Sequence, residues 1–106
     1  MIQASDNTLA VIVEVAHSVL PGAQVLLFGS HARGQAGPQS DYDILIITDQ
    51  PLEMKAKFTL RTQIRKLLLD RGIRSDVLLQ SREEVRRKKE LPGHVIRNAL
   101  REAVPL

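Results

Sequence analysis

Residues 41–48 read Asp-Tyr-Asp-Ile-Leu-Ile-Ile-Thr. The apolar part, Ile44 to Ile47, is continuous rather than alternating, which suits a strand covered on both faces. A strand buried in that way needs packed layers above and below it, so the chain falls among small α/β or α+β domains. Two further runs read as strands, Gln24 to Phe28 and Arg74 to Gln80. Between and around them the apolar residues recur at helical steps. Leu9, Ile12, Val13, Ala16, Val19 and Leu20 share one face of a helix over 7–20, which Pro21-Gly22 stops. A long helix is expected over 52–71, with Phe58, Ile64, Leu67 and Leu68 as its apolar stripe and Gly72 just beyond its end. Ser81 and Glu84 have capping-box spacing, so another helix starts there. A last helix over 94–103 would bury Val95, Ile96, Ala99 and Leu100 or part of that set. The expected architecture is a three- or four-stranded sheet flanked by helices. With 106 residues there is material for one domain, expected to span 1–106.

Charge narrows the function classes. Residues 1–54 hold one basic side chain, Arg33, against six acids, a net charge of −5; residues 55–106 hold fourteen against six, +8. An acidic half can hold cations, and a basic half can meet an anionic partner or polyphosphate. The run Arg86-Arg87-Lys88-Lys89 sits beside Glu83, Glu84 and Glu90. Aromatic residues make up only 3% of the chain, so bases have almost nothing to stack on. Specific nucleic-acid binding is therefore not expected. The chain has no cysteine, which excludes disulfides, thiolate metal sites and a cysteine nucleophile. No apolar run approaches membrane-spanning length, and the first residues do not have the pattern of a signal peptide. The expectation is a cytoplasmic protein.

The chemistry-bearing residues cluster in Phe28-Gly29-Ser30-His31-Ala32-Arg33-Gly34 and Asp41-Tyr42-Asp43. Gly-Ser at the end of a buried strand lets the backbone turn sharply and approach a ligand. A helical turn starting at Ser30 would point free N–H groups at an anion, with phosphate the best fit. Asp41 and Asp43, one residue apart on a strand, would project from one face and repel each other. A hard divalent cation relieves that repulsion, and Mg²⁺ typically takes one or two carboxylates plus substrate phosphates. Asp76 opens the third strand. If that strand neighbours Asp41 and Asp43, it could hold a second metal or take a proton from an attacking hydroxyl. Either Gly-Ser or Asp-x-Asp alone says little; their order and spacing are far more specific. Tyr42 should point away from the two acids and pack. His17 is expected to be structural or exposed, His94 to start a helix, and His31 to touch a ligand only as the lesser of its two readings.

Gly29-Ser30, ten intervening residues and Asp41-x-Asp43 resemble the signature of the nucleotidyltransferase superfamily with the DNA-polymerase-β-like palm. More narrowly, the chain resembles the minimal nucleotidyltransferases (MNT) over nearly its whole length. The resemblance implies a palm with a small mixed sheet, and Mg²⁺ and ATP as cofactor and substrate. It implies that Gly29 and Ser30 contact the triphosphate, that Asp41 and Asp43 ligate Mg²⁺, and that Asp76 is a second metal ligand or general base. Arg33 lies in the variable part of the motif: it contacts phosphate, or it closes the loop through a salt bridge. Minimal members pair with a helical HEPN protein as toxin–antitoxin systems, the nucleotidyltransferase resembling an antitoxin that adenylylates its partner. The rival readings are an antitoxin that neutralises its partner by contact alone, and a transferase acting on a small molecule.

Overall fold

The computed structural model describes residues 6–106. Its elements are α1 (Asp6–Val19), β1 (Gln24–Phe28), α2 (Gly29–Arg33), β2 (Tyr42–Thr48), α3 (Met54–Asp70), β3 (Ser75–Ser81), α4 (Arg82–Lys88), α5 (Val95–Glu102) and β4 (Val104–Pro105). The four strands form one mixed sheet in the order β3-β2-β1-β4. β1 runs antiparallel to β2 and β4, and β2 runs parallel to β3.

The continuous run of β2 is buried on both sides, as its pattern requires. Ile44 and Ile46 join Val25, Val77 and Leu79 on one face, under Ile12, Val15 and Ala16 of α1 and Ile64 and Leu68 of α3. Leu45 and Ile47 join Leu26 on the other face, under Ile96 and Leu100 of α5 and Val85 of α4. Each fully buried Ile or Leu contributes about 1.5–3 kcal/mol through removal of its apolar surface from water. No helix among the described residues is long and apolar enough to cross a membrane.

The apolar stripe of α3 differs from expectation at one position. Phe58 is 62% exposed, while Ile64 and Leu68 are fully buried. The stripe runs through Leu60, Ile64, Leu67 and Leu68. Phe58, six residues before Ile64, lies about 120° away around the helix and faces outward. Arg61 covers its ring instead, at 5.6 Å from the centroid. In α5, Ile96 and Ala99 are buried, Leu100 packs at the edge of the core, and Val95 is exposed.

The capping box forms as the spacing predicts. Glu84 N–H donates to Ser81 Oγ at 3.2 Å, and Ser81 N–H donates to Glu84 Oε1 at 3.0 Å. The fourth strand, β4, lies where no strand is read from the sequence. It is two residues long, and Leu106 N–H continues its pairing by donating to Val25 O at 2.9 Å.

Candidate active site

The sheet order decides what lies beside what. β2 is flanked by β1 and β3, so the residues ending β1 and starting β3 both adjoin the start of β2. Phe28 pairs with Asp43 across β1–β2, and Asp43 pairs with Asp76 across β2–β3. Neighbouring strands are about 4.8 Å apart. The Gly29 turn, Asp43 and Asp76 therefore stand in a row at one end of the sheet.

Gly29 has φ +74°, a left-handed conformation open to glycine and strained for other residues. A Cβ there would fall 2.0 Å from Asp43 Oδ2, 2.9 Å from its Cγ and 3.1 Å from its Cβ. The absent side chain is thus the space that the Asp43 carboxylate occupies. The expected strand-to-turn break has a more definite purpose than flexibility: it brings the acid against the turn.

Asp43 is half-buried, and its pKa lies above the ordinary carboxylate value. Burial is the main cause, followed by the negative charges of Asp76 and Asp41; His31 and Arg33 oppose the shift. The acid is held in a state that a nearby cation would relieve. Asp76 is exposed.

Asp41 departs from expectation. It precedes β2 rather than belonging to it, because β2 starts at Tyr42, whose N–H donates to Arg74 O at 2.9 Å. The Asp41 side chain, half-exposed, forms an ion pair with Arg74, Nε to Oδ1 3.5 Å. Strand alternation therefore does not fix its direction. Among the described residues, no group of three or more His, Cys, Asp or Glu side chains stands close enough together to hold a metal ion. Asp43 and the acids beside it still offer the one or two carboxylates that Mg²⁺ uses beside phosphate oxygens.

The turn itself is tied to a residue that sequence reasoning missed. Glu102, the last residue of α5, accepts the Gly29 N–H on Oε1 at 3.0 Å. It also accepts Arg33 Nη1 on Oε1 at 2.9 Å and on Oε2 at 2.8 Å. Arg33 Nε donates to Gln35 Oε1 at 3.0 Å. Of the two readings of Arg33, the salt bridge is the one present. Arg33 and the Gly29 N–H hold the Glu102 carboxyl below its ordinary pKa, against a smaller opposing effect of burial. The Gly29 N–H is thus engaged within the protein, and Ser30 and Arg33 Nη2 remain among the donors that an anion could use. One signal was available: an acid at a helix C-terminus opposes the helix dipole, so something else must hold it there.

The histidines settle into structural places. His31 is 8% exposed, stacks on Tyr42 with centroids 3.7 Å apart, and contacts Ser40 O through Nε2 at 3.1 Å. It ties the loop over 34–40 back to the turn. Tyr42 packs, as expected. His17 Nε2 meets Ala23 O at 2.8 Å, closing the turn after α1. His94 caps α5, its Nδ1 accepting from Ile96 N–H at 3.1 Å.

The nucleotidyltransferase domain family matches residues 10–105, which takes in the turn and the acids on the neighbouring strands. The chain belongs to that family. It is similar to the probable protein adenylyltransferase MntA of Haemophilus influenzae, 34% identical over 56 residues. That match takes in 53% of this chain and 49% of the relative, so the chain spans about half the length of the curated protein it matches. Two solved structures share the fold. One is a tri-AMPylated Shewanella oneidensis HEPN toxin in complex with MNT antitoxin: 18% identity, 93% of this chain and 68% of that one, TM-score 0.56. The other is a toxin–antitoxin with AMP-PNP: 23% identity, 96% and 72% coverage, TM-score 0.59.

Proposed function

We propose that this chain transfers AMP from ATP to a hydroxyl on a helical HEPN-type partner protein, as an antitoxin that modifies its toxin. The observation that carries the reading is the contact of turn and acid: Gly29 leaves room for Asp43, and Asp43 neighbours Asp76. Two similarities support the acceptor being a protein: one relative is a probable protein adenylyltransferase, and one solved structure of the same fold holds an MNT antitoxin with a tri-AMPylated HEPN toxin.

Asp43, joined by Asp41, would hold Mg²⁺. The ion would supply neutralisation of the triphosphate and polarisation at the α-phosphorus. The residues of the chain do the rest. Ser30 binds a phosphate oxygen through its hydroxyl and backbone N–H. Arg33, fixed by Glu102 and Gln35 through Nη1 and Nε, offers Nη2 to another. Asp76, exposed beside Asp43, takes the proton of the acceptor hydroxyl. The acceptor oxygen forms its bond to the α-phosphorus, the bond from that phosphorus to the β-bridging oxygen breaks, and pyrophosphate leaves. Positioning and charge stabilisation account for most of the rate in such transfers.

The test is to incubate the chain with its HEPN-type partner, ATP and Mg²⁺ and record the partner's intact mass, with Asp43→Asn as control. A gain of one or more AMP units, absent in the control, supports the proposal. No gain, with a stable complex formed by both versions, refutes it in favour of neutralisation by contact alone.

A further inference from the structure

A cavity of about 350 Å³ lies between the second half of α3 and the start of β3. Asp41, Arg65, Lys66, Leu69, Arg74 and Ser75 line it. Because β2 lies between β1 and β3, the cavity flanks the carboxylates from the side opposite the Gly29–Ser30 turn.

Its charge is unbalanced, with three cations against one acid. Arg65 and Lys66 are exposed, and no ion pair among the described residues engages either. Arg74 pairs through Nε with Asp41, both half-exposed, a weak surface interaction that another carboxylate can displace, while its Nη2 donates to Gln39 O and Gln39 Oε1. Ser75 is 7% exposed, and its buried Oγ has no hydrogen-bond partner. A buried hydroxyl is ordinarily paired. Leu69, 59% exposed, gives the rim an apolar element. The lining has no aromatic ring on which a base could stack, so it suits a peptide better than a nucleotide.

We infer that this cavity docks the acceptor segment, and that the segment is acidic. The inference rests on the AMP-transfer reading for its purpose, and on charge complementarity for its ligand. An incoming carboxylate takes Arg74 from Asp41. Asp41 is then free to turn towards Asp43, so acceptor docking and assembly of the carboxylates become one event.

The probe is a fluorescein-labelled random copolymer of Glu and Tyr, with a Lys–Tyr copolymer as counter-probe, followed by fluorescence anisotropy at low salt. Three proteins are compared: the unaltered chain, Arg65→Glu/Lys66→Glu, and Arg86→Glu/Arg87→Glu. The last makes the same charge change on exposed positions of α4, outside the cavity. Expected is binding of the Glu–Tyr copolymer alone, weakened roughly tenfold or more by the α3 pair and less than about threefold by the α4 pair. Affinity for ATP should stay the same in all three. Equal losses in both double variants, or no loss in the α3 pair, overturn the inference. So does a loss of ATP affinity in the α3 pair without loss of copolymer binding, which would assign the cavity to the nucleotide. Labelled AMP incorporation into the copolymer separates the two readings. Binding at the cavity without transfer would leave docking standing and count against AMP transfer. Transfer unaffected by the α3 pair would do the reverse.

Discussion

Replacing Gly29 by Ala tests the contact between turn and acid, and a second glycine provides the reference. Gly72 has φ +77° with nothing within 4 Å of its would-be Cβ, whereas Gly29 has φ +74° with Asp43 at 2.0 Å. Gly72→Ala incurs left-handed strain alone, about 1–2 kcal/mol. Gly29→Ala incurs the same strain plus the clash. Rotating the Asp43 carboxylate does not remove that clash, because the Cγ and Cβ of Asp43 also stand at 2.9 and 3.1 Å. The β1 and β2 backbones must part, at an overpacking cost of about 1–3 kcal/mol more. For a domain of this size each kcal/mol lowers Tm by about 4–8 °C. Gly29→Ala is therefore expected to melt below Gly72→Ala by about 4–24 °C. It should lose AMP transfer by about 100-fold or more, since catalytic geometry tolerates little displacement. Gly72→Ala should keep transfer at temperatures where it is folded. Thermal and urea melts give the stabilities, and labelled AMP incorporation gives the activity. Equal melting of the two variants, with transfer retained in Gly29→Ala, would refute the claim that Gly29 exists to admit Asp43.

Asp43→Asn should raise Tm at neutral pH while abolishing transfer. A carboxyl whose folded pKa is raised destabilises the fold once pH rises above its unfolded value, and the amide removes that effect; a lower Tm at pH 7 would contradict the burial of Asp43. Glu102→Gln keeps an acceptor for the Gly29 N–H and loses only the half-exposed ion pair, so urea melts should show a loss of about 1 kcal/mol or less. Glu102→Ala leaves that buried N–H unpaired and should lose about 1–3 kcal/mol more, and equal melts would show that the hydrogen bond contributes nothing. Glu84 is pushed up by burial, but the Lys57 ammonium and Ser81 hold its pKa down at about 2. A depressed carboxyl stabilises above its unfolded pKa of 4.5, and that stability fades as pH falls towards 2. Glu84→Gln should therefore flatten the stability profile between pH 4.5 and 2, and an unchanged slope would count against the Lys57–Glu84 pair.

What the sequence made legible was local. Ile44 to Ile47 announced a buried strand, Ser81 and Glu84 a cap, and Gly29-Ser30 with Asp41-x-Asp43 the site, because each signal lies within fifteen residues. The misses are non-local or a matter of phase. β4 has two residues and no pattern of its own, and it is a strand only because β1 lies beside it. Asp41 looked like a strand residue by spacing, but Arg74, 33 positions away, draws it off. Phe58 reads as part of the apolar stripe of the helix, and the phase set by Ile64 and Leu68 turns it outward. Glu102 drew no reading from the sequence, since its partners Gly29 and Arg33 lie 73 and 69 residues away.

That same separation has a consequence for how the protein comes into being. A ribosome makes residues 24–33 early, and at about 5–20 residues per second the carboxylate of Glu102 follows about 4–15 s later. Until then the Gly29 N–H has no partner and Arg33 has no anchor, and β1 has no neighbour on its β4 side. The turn is finished only once the chain 69 to 73 residues further on has been made. Nascent chains therefore pass through a period in which the residues of β2 have been made and the Gly29 turn lacks its Glu102 contact, and the shortest length of that period is set by translation speed.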